Sequence, residues 1–120
     1  MTAPEPHPHL FVPLADLPFQ ILLALGEGAS HGYAIGKEIE ERTSGRLNPT
    51  TGSLYQALRR LREDGLLEPI EPPSEDGSGD ARRRYFRLTT LGRRVMAREV
   101  ERLEGLISLA RERSLAPERS

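Results

Sequence analysis

The residues best suited to binding chemistry are arginines gathered in two stretches that contain no carboxylate. Residues 46–62 hold four arginines and residues 82–94 hold six, and neither stretch contains an aspartate or a glutamate. Within the first stretch, Arg59, Arg60 and Arg62 fall within one turn of a helix. A guanidinium group donates paired hydrogen bonds to phosphate oxygens and to guanine edges. The two stretches therefore favour a polyanionic partner such as a nucleic acid.

The composition as a whole describes one soluble globular domain. The chain has 120 residues, of which 37% are hydrophobic and 29% are charged, enough for one modest core but not for two. Its formal net charge is −1, which by itself argues against a nucleic-acid partner. Local fields decide what a surface attracts, however, and most of the acidic residues lie in separate segments, mainly residues 38–41 and 63–80.

Several kinds of site and location are excluded or disfavoured. The chain has no cysteine, which excludes disulfides and thiolate metal sites. No carboxylate pattern completes a metal site around His7, His9 and His31, and no catalytic or phosphate-loop motif is present, so we predict no enzyme activity, cofactor or metal. The longest apolar run, residues 19–26, is far shorter than the roughly 20 residues that span a bilayer. Because the start also lacks the features of a signal peptide, we expect a cytoplasmic protein without membrane contact.

Residues 48–65 predict a helix that carries the first basic stretch. The dipeptide Asn48–Pro49 is a typical helix start and Gly65 a typical stop. Leucines at spacings of four and three form one buried stripe: Leu54, Leu58 and Leu61. The opposite face carries Gly52, Ser53, Gln56, Arg59, Arg60 and Glu63, with Thr50, Thr51 and Tyr55 on the flanks.

Two helices are predicted before this one. Asp16 is placed to cap the first, which contains Pro18 in its opening turn and runs to about Leu25. Since this helix is apolar on almost every side, it should be buried on more than one side. Ser30 is placed to cap the second, over residues 31–43, whose inward side chains should be Tyr33, Ile35 and Ile39.

Two extended segments follow, residues 66–72 and 83–88, and predict a β-hairpin with a long tip over residues 73–81. In the second segment Phe86 and Leu88 share one face, opposite Arg83, Tyr85 and Arg87. Pro69 cannot donate a ladder hydrogen bond, so the first segment should lie at a sheet edge or contain a bulge.

The last predicted element is a long helix from about Thr90 to Ser114. Apolar residues recur at spacings of four and three along it: Met96, Val100, Leu103, Ile107 and Ala110. Polar residues flank this seam: Arg98, Glu99, Glu101, Arg102 and Glu104. Because a small domain has no room to bury so long a stripe, we predict a dimer through this helix. The alternative is that the stripe is only a core face.

Three segments resemble the PadR family of bacterial transcriptional regulators in order and spacing. They are "HGYAIGKEIEE" (residues 31–41), "GSLYQALRRLREDGLL" (residues 52–67) and "RRRYFRLTTLGRR" (residues 82–94), and the resemblance covers residues 17–94. It implies a winged helix-turn-helix, that is, a mostly α fold with a small β-hairpin wing (α+β), followed by a dimerisation helix. The departures from the family pattern are Pro69 and the acidic wing tip.

The resemblance further implies a homodimer that binds an inverted-repeat operator in double-stranded DNA, usually as a repressor, sometimes released by a small hydrophobic or aromatic effector. We divide the chain accordingly into a disordered tail (1–13), a DNA-binding domain (14–89), a dimerisation helix (90–114) and a second tail (115–120). The predicted DNA contacts are Thr50, Thr51, Ser53, Tyr55, Gln56, Arg59, Arg60, Arg83 and Arg84. The predicted effector site comprises Phe19, Ile21, Leu22, Met96 and Val100.

The same residues also allow purely structural explanations. The arginines of the third helix could form a solvated face, with Arg59 paired to Glu63, and Tyr55 could be a core aromatic. The arginines at 82–84 could protect a sheet edge from aggregation. The alternative function is a winged-helix module that contacts an acidic protein or RNA.

Overall fold

The fold places four helices around a small sheet. The computed structural model describes residues 5–72 and 84–117. In these residues the α-helices and strands are α1 (Asp16–Ala24), β1 (Ser30–His31), α2 (Gly32–Arg42), α3 (Thr51–Glu63), β2 (Leu67–Ile70), β3 (Tyr85–Leu88) and α4 (Thr90–Glu112). Short 3-10 turns occupy Pro8–Phe11 and Leu25–Glu27. The predicted α+β class, with a hairpin and a long last helix, is confirmed.

The sheet is antiparallel with the strand order β1–β3–β2. Leu67 lies opposite Leu88, and Ile70 lies opposite Tyr85, so both predicted hairpin strands are present. Pro69 lies in β2, which is an edge strand of this sheet, as its missing N–H group requires. The strand β1 was not predicted, and its Ser30 pairs with Phe86. The hairpin tip predicted over residues 73–81 lies outside the described residues.

One core joins the helices to the sheet. The buried stripe of α3 is confirmed, since Leu54, Leu58 and Leu61 are all buried. Together with buried residues of α1, α2, β2, β3 and α4 they form a single apolar cluster. The exposed side of α3 is thereby held facing solvent.

The helix starts differ from the predicted ones. Asp16 is the first residue of α1, and the cap position Ala15 makes no side-chain hydrogen bond. Ser30 belongs to a strand, and the His31 ring caps α2 by accepting from the Ala34 amide at 3.2 Å. Thr50 rather than Asn48 caps α3, because its hydroxyl accepts from the Ser53 amide at 3.1 Å.

Two side chains lie in environments opposite to those predicted. Tyr33 was expected to face inward but is 67% exposed. It precedes Ile35 by two residues, which is about 200° of rotation around a helix, so the two cannot share a face. Glu99 was expected on a polar flank but is only 1% exposed.

The amino-terminal segment covers part of α4 and corrects the predicted tail for residues 8–13. The turn Pro8–Phe11 lies against α4. Phe11, Val12 and Leu14 pack against the core, and the Leu14 amide donates to the Glu99 carboxylate at 2.7 Å. Apolar side chains and a buried acceptor thus hold a segment whose prolines had suggested a tail.

Candidate nucleic-acid interface

The solvent-facing side of α3 presents a continuous polar and cationic surface. Ser53, Gln56, Arg59 and Arg60 are all exposed, as predicted from the helical spacing. The capping hydroxyl of Thr50 also lies 2.9 Å from the Ser53 hydroxyl. Ser53 is therefore engaged in holding the helix start, while Gln56 and the arginines extend beyond it along the helix.

The arginines of α3 differ from other arginines of the chain in their ion pairing. Other arginines form ion pairs, for example Arg42 with Glu38, Arg46 with Asp16 at 3.1 Å and Arg87 with Glu68 at 2.8 Å. In residues 5–72 and 84–117, no carboxylate lies within ion-pairing distance of the three arginines of α3 or of Arg84. The alternative of a helix face neutralised by an Arg59–Glu63 pair is not supported. No carboxylate of the described residues therefore competes with an external anion for these cations.

A groove joins α3 to the hairpin. It has a volume of about 450 Å³ and is lined by Tyr55, Leu58, Arg59, Arg62, Arg84 and Phe86. Two arginines of α3 and one beside β3 thus border the same concave surface, although they are more than twenty positions apart in sequence. Guanidinium groups have the hydrogen-bonding geometry that phosphate oxygens accept, and three of them border this groove.

Tyr55 is packed on one side and exposed on the other. Its side chain is 46% exposed, so it is not a plain core aromatic. A Cβ atom at Gly32 would lie 2.7 Å from the Tyr55 hydroxyl oxygen, which shows that the ring packs closely over the start of α2. A side chain at position 32 would displace the Tyr55 hydroxyl, which occupies the adjacent space.

A second concave surface lies at the amino-terminal end of α3. It has a volume of about 360 Å³, and its lining includes Tyr33, Lys37, Asn48, Thr51 and Tyr55. Thr50 and Thr51, both predicted as contacts, are exposed at this end. The His31 ring lies beside Tyr33, with ring centroids 6.4 Å apart. The exposed face thus continues from α3 onto α2.

Arg62 was grouped with Arg59 and Arg60 in the basic stretch that favours a polyanionic partner, but it was not among the individually predicted DNA contacts. The signal was present, because Arg62 lies in the same carboxylate-free stretch as Arg59 and Arg60. Its proximity to Arg84 depends on how the hairpin folds back onto α3, which no local pattern reveals. Tyr33 was missed as a surface residue because it was assigned to the core. Of the predicted contacts, Arg83 lies outside the described residues.

The predicted dimer seam is only partly exposed in the single chain. Val100 and Ile107 are exposed, whereas Met96, Leu103 and Ala110 are partly buried. The adjacent Leu106 and Leu109 are 52% and 39% exposed. The apolar surface of α4 is therefore wider than the predicted seam.

The predicted effector site is corrected for two of its residues. Ile21 and Leu22 have no exposed surface, because α1 packs against α2, α3 and α4. Phe19 and Met96 are half-buried, and Val100 is exposed. Only these last three keep surface that a ligand or a partner helix can contact.

Glu99 is the one buried charged residue among the described side chains. It accepts from the Leu14 amide and also from Arg102, whose Nε lies 2.6 Å from one carboxylate oxygen. The hydrogen bond from Arg102 lowers the pKa of Glu99; burial opposes this shift, and the Leu14 amide adds to it. The carboxylate is therefore held in its charged form.

Two further features bear on the kind of site. The described part of the chain holds no cluster of three or more His, Cys, Asp or Glu side chains arranged to hold a metal ion. In that part, no helix is long and apolar enough to cross a membrane.

The sequence matches a known protein family over most of its length. Residues 21–98 match the model of the transcriptional regulator PadR-like family. A curated relative, an uncharacterized 37.1 kDa protein in transposon TN4556 of Streptomyces fradiae, is 42% identical over 91 residues, which are 76% of this chain and 24% of the relative. This chain thus spans about a quarter of that relative's length.

Solved structures share the fold. A PadR-like transcription factor from Bacteroides fragilis is 26% identical, with a TM-score of 0.65 over 80% of this chain and 87% of the other. A PadR family transcription regulator from Clostridium difficile is 22% identical, with a TM-score of 0.69 over 80% and 95%. The family match covers well over half of the sequence. The chain therefore belongs to the PadR-like family of transcriptional regulators.

Proposed function

We propose that the protein is a homodimeric repressor that binds an inverted-repeat operator in double-stranded DNA. Family membership supports a DNA-binding regulator in general. The finer proposal is carried by one observation: arginines on α3 and beside β3, which pair with no carboxylate among residues 5–72 and 84–117, border a common groove.

In this proposal α3 enters the major groove as the recognition helix. Gln56 suits the paired hydrogen-bonding edge of adenine, and Arg59 or Arg60 suits that of guanine. Thr50, Thr51 and Tyr55 contact the backbone near the helix start. Ser53 has a smaller part than predicted, because its hydroxyl is already engaged with Thr50.

The groove between α3 and the hairpin receives the phosphate backbone. Arg62 and Arg84 border it from opposite elements and contact phosphate oxygens, which supplies affinity without sequence preference. Arg83 remains a proposed phosphate contact from the sequence alone.

The second copy of the chain covers the carboxyl-terminal half of α4. This helix has 23 residues, and its half beyond Glu99 presents Val100, Leu106, Ile107 and Leu109 to solvent. An apolar helical face of this kind is stabilised when a like face packs against it. Pairing of α4 with α4 places two recognition helices on one duplex, as an inverted repeat requires.

An effector is proposed from the family resemblance and from the apolar surface of the first helix. A small hydrophobic or aromatic molecule would meet the remaining exposed surface of Phe19, Met96 and Val100. We expect such a compound to raise the melting temperature of the protein. No shift with any member of an aromatic panel would remove the effector from the proposal.

The experiment that tests the main proposal separates base reading from phosphate binding. The wild-type protein first selects duplexes from a random pool, and selected and random duplexes are then titrated at several salt concentrations. Gln56→Ala should lose about 1–3 kcal/mol on the selected duplex and relax preference at one position. Arg84→Ala should weaken all duplexes alike and lower the salt slope by about two counterions per dimer, one for each copy.

Glu101→Gln on α4 serves as the control, since it removes a charge from an exposed site away from α3 and on the side of α4 that is turned away from Val100 and Ile107; it should leave both quantities unchanged. If Gln56→Ala and Arg59→Ala retain the wild-type preference, α3 does not read bases. If the wild type binds duplex DNA without a steep salt slope, the alternative of an acidic protein or RNA partner replaces the proposal.

A further inference from the structure

The start of α4 lies directly against the end of α3. At the end of α3 the Gly65 amide donates to the Arg62 carbonyl and the Leu66 amide donates to the Leu61 carbonyl, both at 2.9 Å. Gly65 has φ +80°, and this pattern is the Schellman cap. It leaves the carbonyl groups of Gly65 and Leu66 for partners outside α3.

Thr89, the residue that caps α4, takes both of these carbonyls. Its amide donates to the Leu66 carbonyl at 3.2 Å, and its hydroxyl donates to the Gly65 carbonyl at 2.5 Å. The same hydroxyl accepts from the Gly92 amide at 3.0 Å. A hydroxyl has one donor and two acceptor sites, so these bonds form together. We name Gly65, Leu66, Thr89 and Gly92 the cap junction.

Gly92 closes the cap junction by close approach of two backbones. A Cβ atom at this position would lie 2.0 Å from the Leu66 carbonyl oxygen. A clash with backbone cannot be relieved by rotating a side chain. Non-bonded heavy atoms lie about 3.5 Å apart at their optimal separation. An alanine at position 92 would therefore increase the distance between α4 and the Leu66 carbonyl by more than about 1 Å.

We propose that the cap junction sets the separation of the two recognition helices and thereby the half-site spacing that the dimer prefers. The inference rests on the proposed function, in which α3 reads DNA and α4 pairs at the dimer axis. A displacement between α3 and α4 occurs in both protomers. It therefore changes the distance between the two α3 helices by up to about 2–3 Å, close to the 3.4 Å rise of one base pair.

The packing that links α3 to α4 through α1 is more adaptable. The helix α1 packs against both, but it does so through side chains, which can change rotamer. The cap junction instead joins backbone to backbone through one hydroxyl and one glycine. A Cβ atom at Gly92 would meet the Leu66 carbonyl, so a change there is absorbed by moving a helix.

The test uses the duplex that the wild type selects from a random pool, remade with the half-site separation changed by one or two base pairs in each direction. The variant is Gly92→Ala. The matched control is Gly105→Ala, in the same helix, where a Cβ atom meets nothing within 4 Å. Residue 105 also lies about 180° around the helix from the predicted seam.

We expect Gly105→Ala to keep the wild-type spacing profile. Gly92→Ala should bind the original duplex about tenfold or more weakly, comparable with a mismatched base pair, and should shift or flatten the spacing profile. Equal weakening at every spacing would overturn the inference, since it would mark the cap junction as merely structural. So would an unchanged profile.

A second pair of variants decides the matter if Gly92→Ala does not fold. Thr89→Val removes both hydroxyl bonds and should shift or flatten the profile, whereas Thr89→Ser keeps the hydroxyl and should restore it. A wild-type profile in Thr89→Val would overturn the inference. If the wild type selects no inverted repeat, the proposed function is wrong. If the wild type selects a repeat but no variant changes the preferred spacing, only the inference about the cap junction is wrong.

Discussion

The buried carboxylate of Glu99 allows a prediction of stability with a definite magnitude. Glu99→Leu keeps a side chain of similar size but removes the acceptor of the Leu14 amide, 2.7 Å away. A buried donor left without a partner costs about 1–3 kcal/mol. We therefore expect the free energy of unfolding to fall by about that amount, while Glu99→Gln, which keeps a carbonyl acceptor, loses less.

The same residue predicts a pH dependence. The pKa of Glu99 is lowered from its ordinary value of 4.5, chiefly by the hydrogen bond from Arg102. The folded state therefore favours the charged form. Its contribution to stability is fully present above pH 4.5 and is lost as the pH falls through the lower, folded-state pKa. Glu99→Gln should not show this part of the loss.

The assay is urea unfolding of wild type and variants from pH 7 downward. One protomer concentration is used throughout, because the stability of the proposed dimer would depend on concentration. Glu101→Gln is the control, since Glu101 is exposed and only approaches Arg98 at 3.7 Å. Two results together would show that Glu99 does not hold the amino-terminal segment. Glu99→Leu would have the same unfolding midpoint as wild type, and the stability of Glu99→Gln would depend on pH in the same way as that of wild type.

Three further changes test single contacts. Leu103→Glu introduces a charge on the apolar face of α4 and should give monomers in sedimentation; a dimer of wild-type affinity would exclude this face. Thr50→Val removes the cap of α3 and should lower the free energy of unfolding by about 1 kcal/mol in urea, with Thr50→Ser restoring it; equal stability of all three would exclude the cap. Leu58→Ala should cost about 2–5 kcal/mol in thermal unfolding because the site is buried, and a smaller loss would mean that the core collapses around it.

The sequence alone predicted those helices and strands that are specified by local residue patterns. The spacing of Leu54, Leu58 and Leu61 defines which side of α3 is buried, because a helix repeats every 3.6 residues. It follows that Gln56 and Arg59 face outward, and the structure places them there. The hairpin strands and the long last helix were likewise predictable from alternation and heptad spacing.

Only the tertiary structure decided which distant groups meet. The proximity of Arg84 to Arg62 depends on the hairpin folding back against α3, and the burial of Glu99 depends on an amino-terminal segment that begins about 90 positions earlier. Helix starts were also misassigned, since several nearby residues can cap and packing selects one, as with Thr50 in place of Asn48. Periodicity describes one element at a time, whereas a site built from several elements is determined by the packing free energy of the whole chain.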